Sequence, residues 1–448
     1  MNGILTSAGI WMLPCLVICT LYSGTAVWLL LLGIAGTFAL AGVATGVFEF
    51  SILSAVPARL LGLLDNDLLQ ALPLFIWVGF LLDRLKVIES VFLTFSYQLR
   101  HLGAAPALAA LSVGLLTAPM NGSVASSTAV IGRSLEKPMR QLTAAHAITV
   151  LTLAGTIGVV FPPSLVLVLL GEAMMRAHTE ALRIPGMMQS TVRTINTQDI
   201  FHAALLPSIA IFVIWVFIAA WQGRQTTQSV IQASKRQKTV AIVALALIGF
   251  LLYGVFTGAV RSVEAAACAA VCLSIMGVFS GTMQRLDWQD LMRDTLEFSG
   301  ALMALLVGAT VFSLVFRLFG TEAWIALTLA SSPLPARQTA ALVLVAVGLC
   351  AWALDAFEMI FVVIPIVAPP LIGLLQDAQQ VAVLILLVLQ ASFLVPPMGY
   401  AVIVAHGTLD RNAKTIELLR AMGPYLVAQC MVIEFIFFYP SLVHRLDA

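Results

Sequence analysis

Long apolar stretches separated by short charged loops run through the whole chain, and their lengths predict what each can form. A helix that crosses a bilayer takes about 20 apolar residues. The runs 24–46, 201–221, 239–260, 263–284, 298–316 and 422–443 fit or nearly fit single spans, and 68–82 is a shorter apolar run. Positions 8–48 hold no charged residue, enough for two short helices or one long one. Two further runs are cut in the middle: 102–132 by PMNGSVASST at 119–128, and 338–376 by ALDAFE at 353–358. Their arms are too short to cross, so each predicts a re-entrant hairpin that enters the bilayer and returns to the same side. Non-helical backbone at that depth is tolerated where it is buried in protein or lines a cavity. Two more runs, 141–175 and 378–409, carry the double prolines Pro162-Pro163 and Pro396-Pro397. Each proline inside a helix costs about 3 kcal/mol and a ladder hydrogen bond. These runs predict helices broken partway through the membrane.

The interruptions share one spacing. Pro162 and Pro396 lie 234 positions apart, as do Pro163 and Pro397, and Asn121 and Asp355. Charge gives the sides: Arg100, His101, Arg133, Lys137 and Arg140 at the feet of the first hairpin, and Arg224, Lys235, Arg236 and Lys238 after 201–221, read as cytoplasmic. Counting crossings from there, the second hairpin opens from the other face. The expected fold is an all-α polytopic membrane protein of inverted-topology repeats, each with a re-entrant helical hairpin and a Pro-Pro-broken helix. Secondary transporters with such repeats place their site between discontinuous helices. The expected organisation is N-terminal scaffold helices and arm in 1–100, hairpin and broken helix in 101–175, scaffold helices in 176–336, the second hairpin and broken helix in 337–409, and a C-terminal helix in 410–448.

Composition sharpens the class. Of the 448 residues 60% are hydrophobic and 10% charged, where soluble domains run near 25% charged. A net charge of +1 without a basic stripe gives no footprint for nucleic acid. The six cysteines lie in apolar runs and read as small hydrophobes rather than metal or redox pairs. The N-terminus reads as mature sequence beginning with a membrane segment. No Gly-rich phosphate loop, His-Glu-x-x-His or paired His/Cys set argues for an enzyme. Uphill work would have to come from an ion gradient.

Candidate chemistry gathers at the four interruptions. The first tip holds Asn121, Gly122, Ser123, Ser126, Ser127 and Thr128, a supply of oxygen ligands with close backbone approach, although serine and threonine also join helices in membranes. At the second tip Asp355 and Glu358 sit three apart and would share a helical face; the alternative is a shallower loop with both carboxylates solvated. An intramembrane carboxylate costs about 2.5–3.5 kcal/mol and points to function. The breaks, Pro162, Pro163 and Ser164, and Pro396, Pro397 and Met398, would offer main-chain carbonyls, or be kinks without ligand duty. Glu264, at the start of an apolar helix, reads as structural, and His146 and His406 as packing residues.

The stretches ALPLFIWVGFLLDR (71–84), MNGSVASSTAVIGRSLEKPM (120–139), AGTIGVVFPPSLVLVLLGEAM (154–174), DIFHAALLPS (199–208), TGAVRSVEAAA (257–267) and FLVPPMGYAVIVAHG (393–407) follow one another as in a known family. Over about residues 20–440 the chain resembles the large membrane subunit, DctM-like, of tripartite ATP-independent periplasmic (TRAP) transporters. The resemblance implies an elevator-type transporter of the bacterial inner membrane, with sodium as coupling ion and no other cofactor. It implies organic-acid substrates, a periplasmic solute-binding protein and a small four-helix membrane subunit. The family's sodium ligands carry over onto Asn121, Gly122, Ser123, Pro162, Asp355 and Pro396. Two stretches depart from the family pattern: RQLTAAHAITV at 140–150, and Met398, where the family usually has valine. The closest rival is a stand-alone sodium- or proton-coupled dicarboxylate carrier or antiporter. An intramembrane enzyme would need denser acids, and a passive scaffold would not need matched breaks.

Overall fold

The computed structural model describes residues 8–64, 67–102, 104–117, 124–140, 142–162, 164–182, 195–222, 233–281, 283–410 and 413–445. Every regular element among them is helical. Seven of these helices are long and apolar enough to cross a membrane, or eight if the pair bent at the first double proline counts as one span.

The uncharged start forms two helices, α1 (Met12–Ser23) and α2 (Val27–Ala44), parted at Gly24, whose φ of 60° suits a glycine. A short α3 (Ala55–Leu64) leads to α4 (Leu72–Arg84) and α5 (Val87–Gln98). The first interrupted run becomes α6 (Ala105–Thr117) and α7 (Val124–Met139). The first broken run becomes α8 (Ala144–Val160) and α9 (Leu165–Ala181), bent by 41°. Then come α10 (Thr197–Gln222), α11 (Lys235–Phe256), α12 (Ser262–Ser280), α13 (Arg285–Leu318) and α14 (Thr321–Ala330). The second interrupted run gives α15 (Ala336–Cys350) and α16 (Ala356–Leu375), the latter with a π turn over Met359–Val363. The second broken run gives α17 (Ala378–Leu394) and α18 (Tyr400–Leu409), and α19 (Thr415–Phe438) follows.

One helix differs from its apolar run. Periodicity places a span at 298–316, but α13 begins at Arg285 and runs 34 residues. Its extra turns are charged and amphipathic. Asp287 accepts from the Gln284 N–H at 2.7 Å, and Arg84 of α4 donates to the Asp287 carbonyl at 2.9 Å and pairs with Asp294. An N-terminal cap and a tertiary cation together extend the helix below its apolar section.

The spacing of 234 persists in the helix ends. Shifted by that amount, the bounds of α8 fall on those of α17, and the start of α5 on that of α14. The ends α8 and α17 share have common local causes. Thr143 and Asp377 are both extended N-caps, accepting from His146 N–H at 3.4 Å and Gln380 N–H at 3.0 Å. Phe161 and Val395 are both extended at the other end, because a residue before proline is driven out of the helical region.

Packing follows the same order. α8 and α17 are buried almost all round, touch each other, and form the centre of the molecule. Contacts between halves come in exchanged pairs: α9 on α16 and α18 on α7, α8 on α19 and α17 on α10, α2 on α13 and α12 on α4. α10 and α19 pack on the broken helices and on each other. Glycine permits the closest approach: a Cβ on Gly114 of α6 would run into the backbone of Ala154 in α8.

Candidate functional site

At the first tip, Asn121, Gly122 and Ser123 lie outside the described residues, as does Pro163 at the first break. From Val124 onward the tip continues as α7, with Ser126 half-buried and Thr128 fully buried. The Thr128 side chain lies against Gly155 of α8, where a Cβ would collide with it. Its Oγ1 has no hydrogen-bond partner among the described residues. A buried hydroxyl of that kind, beside a helix-backbone approach, is an available oxygen ligand.

The first break is well supplied with hydroxyls. Pro162 is buried, and Ser164 caps α9 by accepting from the Leu167 N–H at 3.1 Å. The proline break frees carbonyls at the end of α8, and Ser208 of α10 lies within hydrogen-bond reach of the Val160 carbonyl. Periodicity does not single out Ser208; the signal was a serine after Pro207 within an apolar run.

At the second tip Asp355 and Glu358 stand at the start of α16. Asp355 precedes the helix, with φ −74° and ψ 170°, and stands at its N-cap. Glu358, in the first turn, reaches back so that the Asp355 N–H donates to its Oε2 at 2.9 Å. The two acids thus form a capping pair, because an extended N-cap and a first-turn glutamate satisfy each other's backbone. Asp355 is 9% exposed and Glu358 half-buried, so the first is not a solvated loop residue.

The second break is more open. Pro396 is buried, Pro397 is exposed and Met398 is 58% exposed. Gly399 lies tight against the Phe393 carbonyl, and its N–H donates to the Val395 carbonyl at 2.7 Å. The Ser392 hydroxyl, just before the break, donates to the Gly348 carbonyl near the end of α15, so the second tip and the second break lie close together.

The halves meet at a polar junction that the sequence reading missed. Gln390 of α17 donates to the Thr156 carbonyl of α8 at 3.4 Å, across a separation of 234. Gln429 of α19 donates to Gln390 Oε1 at 2.9 Å and to the Leu387 carbonyl at 3.1 Å. All three side chains are fully buried. The only sequence signal was an amide in each of two apolar runs. Glu264 behaves as a cap, accepting from the Arg261 N–H at 3.0 Å. His146 Nδ1 contacts the Thr143 hydroxyl and His406 Nδ1 the Val402 carbonyl, both local contacts.

Comparison with known proteins gives one consistent result. The chain is 24% identical to the sialic acid TRAP transporter large permease protein SiaM of Vibrio cholerae, over 94% of each sequence. It is 22% identical to the C4-dicarboxylate TRAP transporter large permease protein DctM of Rhodobacter capsulatus, over 84% of this chain and 85% of that one. Among solved structures it is similar to the Alcanivorax borkumensis YdaH transporter, with a TM-score of 0.60 at 15% identity over 98% and 99% of the two chains. A second likeness, to Neisseria gonorrhoeae MtrF, has a TM-score of 0.53 at 12% identity over 86% and 83%. At those identities the structures speak for the fold. Residues 13–442 match the tripartite ATP-independent periplasmic transporter, DctM component. The chain belongs to that family, as a multi-pass inner-membrane transporter subunit and not an enzyme.

Proposed function

We propose that this chain imports an organic acid on a sodium gradient, as the large permease subunit working with a periplasmic solute-binding protein and a small membrane subunit. The observation that carries the reading is the recurrence: two interrupted hairpins and two proline-broken helices, in register at one spacing, with α8 and α17 in contact. We read them as inverted-topology repeats, since the exchanged packing pairs are what a twofold relation between halves produces. The sliding part of the elevator is α6–α10 with α15–α19, against a scaffold of α2–α5 and α11–α14. α10, which the sequence places with the scaffold, and the C-terminal α19 are assigned to it because they pack on the broken helices.

Sodium is a hard cation that takes oxygen ligands, and the proposed set is Asn121, Ser123, Asp355 and the carbonyls at Pro162 and Pro396. The positive end of α9, capped at Ser164, would favour a substrate carboxylate. Ion binding at the tips orders them, so that the acid joins a preformed site; coupling is then linkage between the two. Relatives named for sialic acid and for C4-dicarboxylates support an organic acid as cargo.

The test is uptake into proteoliposomes holding this chain with its small subunit. The expected result is accumulation that requires both an inward sodium gradient and the binding protein. Accumulation without the binding protein, or on a proton gradient alone, would make the chain a stand-alone carrier.

A further inference from the structure

Between α9 and α13 lies a cavity of about 540 Å³, closed at one side by α3 and at another by the π turn of α16. Its two long walls are single helix faces: Leu169, Glu172, Arg176 and Glu180 on α9, and Leu306, Thr310, Ser313 and Arg317 on α13. The walls are joined where Arg317 Nη1 meets Glu180 Oε1 at 3.1 Å, and Arg317 Nε is held from its own side by Glu322 Oε2 at 3.0 Å. On α9 the charges alternate every four residues, with Arg176 paired to Glu172 at 3.0 Å. Above Arg317, the α13 face offers only neutral residues, Ser313, Thr310 and Leu306 among them.

We propose that Glu172, Arg176 and Glu180 form a charge ladder that gives the sliding unit two stations against Arg317; this rests on the elevator motion proposed above. In the first station, seen here, Glu180 is level with Arg317. A rise of 1.5 Å per residue puts Glu172 about 12 Å along the helix. When α9 advances by that distance toward its own C-terminus, Glu172 arrives opposite Arg317. Halfway, at about 6 Å, Arg176 faces Arg317 and like charges oppose each other. The two stations are thereby separated by a repulsive midpoint, which suits a two-state carrier better than a smooth slide. The Glu180–Arg317 pair is open to solvent, with side chains 35% and 41% exposed, so it holds its station weakly and lets go.

The test uses the full chain in vesicles with a disulfide reporter, Leu169→Cys with Ser313→Cys, which approach only in the advanced station. Removing the first-station carboxylate (Glu180→Gln) raises the cross-link yield about threefold, the population change an exposed ion pair can make. Glu172→Gln lowers it by a similar factor, and so does the exchange Glu180→Arg with Arg317→Glu, which keeps the first-station pair but sets like charges opposite each other in the advanced station. Unchanged yield in both single variants, with the chain eluting as a folded species, overturns the ladder. Sodium-driven uptake by the wild type is measured in matched vesicles that also hold the small subunit, with the binding protein supplied. Uptake with unaltered yields rejects the ladder alone, whereas no uptake under any condition rejects the transport reading on which it rests.

Discussion

The two broken helices share a backbone and differ in chemistry. α8 and α17 start at N-caps 234 positions apart, end at pre-proline residues 234 apart, and sit against each other in the centre. After the break the halves diverge. Ser164 caps α9, and Ser208 attends the Val160 carbonyl. At the position matching Ser164 stands Met398, which cannot cap and points 58% exposed. The tips diverge in the opposite sense. The described part of the first offers neutral hydroxyls, while the second concentrates two carboxylates in one capping turn. The lesson is that geometry is doubled and charge is not. A doubled backbone creates two sets of freed carbonyls and helix ends, and in the sodium site proposed above the acidic tip supplies the charge that suits a cation.

Three changes break or sharpen that contrast. The largest effect is expected at Asp355→Asn, which removes a nearly buried carboxylate and should lower sodium-dependent uptake on the order of tenfold or more; the counterpart readout is Ser126→Ala at the neutral tip, with a smaller loss. The second concerns two matched glycines. Gly114 meets backbone of Ala154, which cannot yield, whereas a Cβ on Gly348 meets the Val388 Cγ1 at 3.3 Å. Gly114→Ala is expected to destabilise by about 1–3 kcal/mol, and Gly348→Ala by clearly less, in thermal unfolding of the purified chain. The smallest pair is at the breaks: Ser164→Ala loses a cap, about 1 kcal/mol, while Met398→Val stays within about 0.5 kcal/mol in the same assay.

Much of this layout was legible in the sequence, for definite reasons. Apolar length locates spans, proline excludes helix, and polar residues inside an apolar run are conspicuous, so the interruptions and their common spacing could be read directly. The separation of α1 from α2 was left open because no charge falls between them; a left-handed Gly24 decides it. The early start of α13 was hidden because its first turns are held by Arg84, a residue about 200 positions away. Asp355 and Glu358 were found, but spacing alone could not tell a shared helical face from a cap and its first turn. Gln390, Gln429, Ser208 and the Glu180–Arg317 pair escaped notice because their partners are remote in the chain, and neither periodicity nor composition carries that information. Asn121, Gly122, Ser123 and Pro163 lie outside the described residues, so the first tip rests on what Ser126 and Thr128 show.

The central claim is that the two halves together make a sodium site, and its most direct measurement is thermal unfolding of the purified chain in sodium against potassium at equal ionic strength. A ligand that binds only the folded state, present at about 100 times its Kd, adds about 2.7 kcal/mol. The account predicts a higher midpoint in sodium for the wild type and coincident midpoints in the two salts for Asp355→Asn. Coincident midpoints for the wild type, or a sodium effect undiminished in Asp355→Asn, would contradict it.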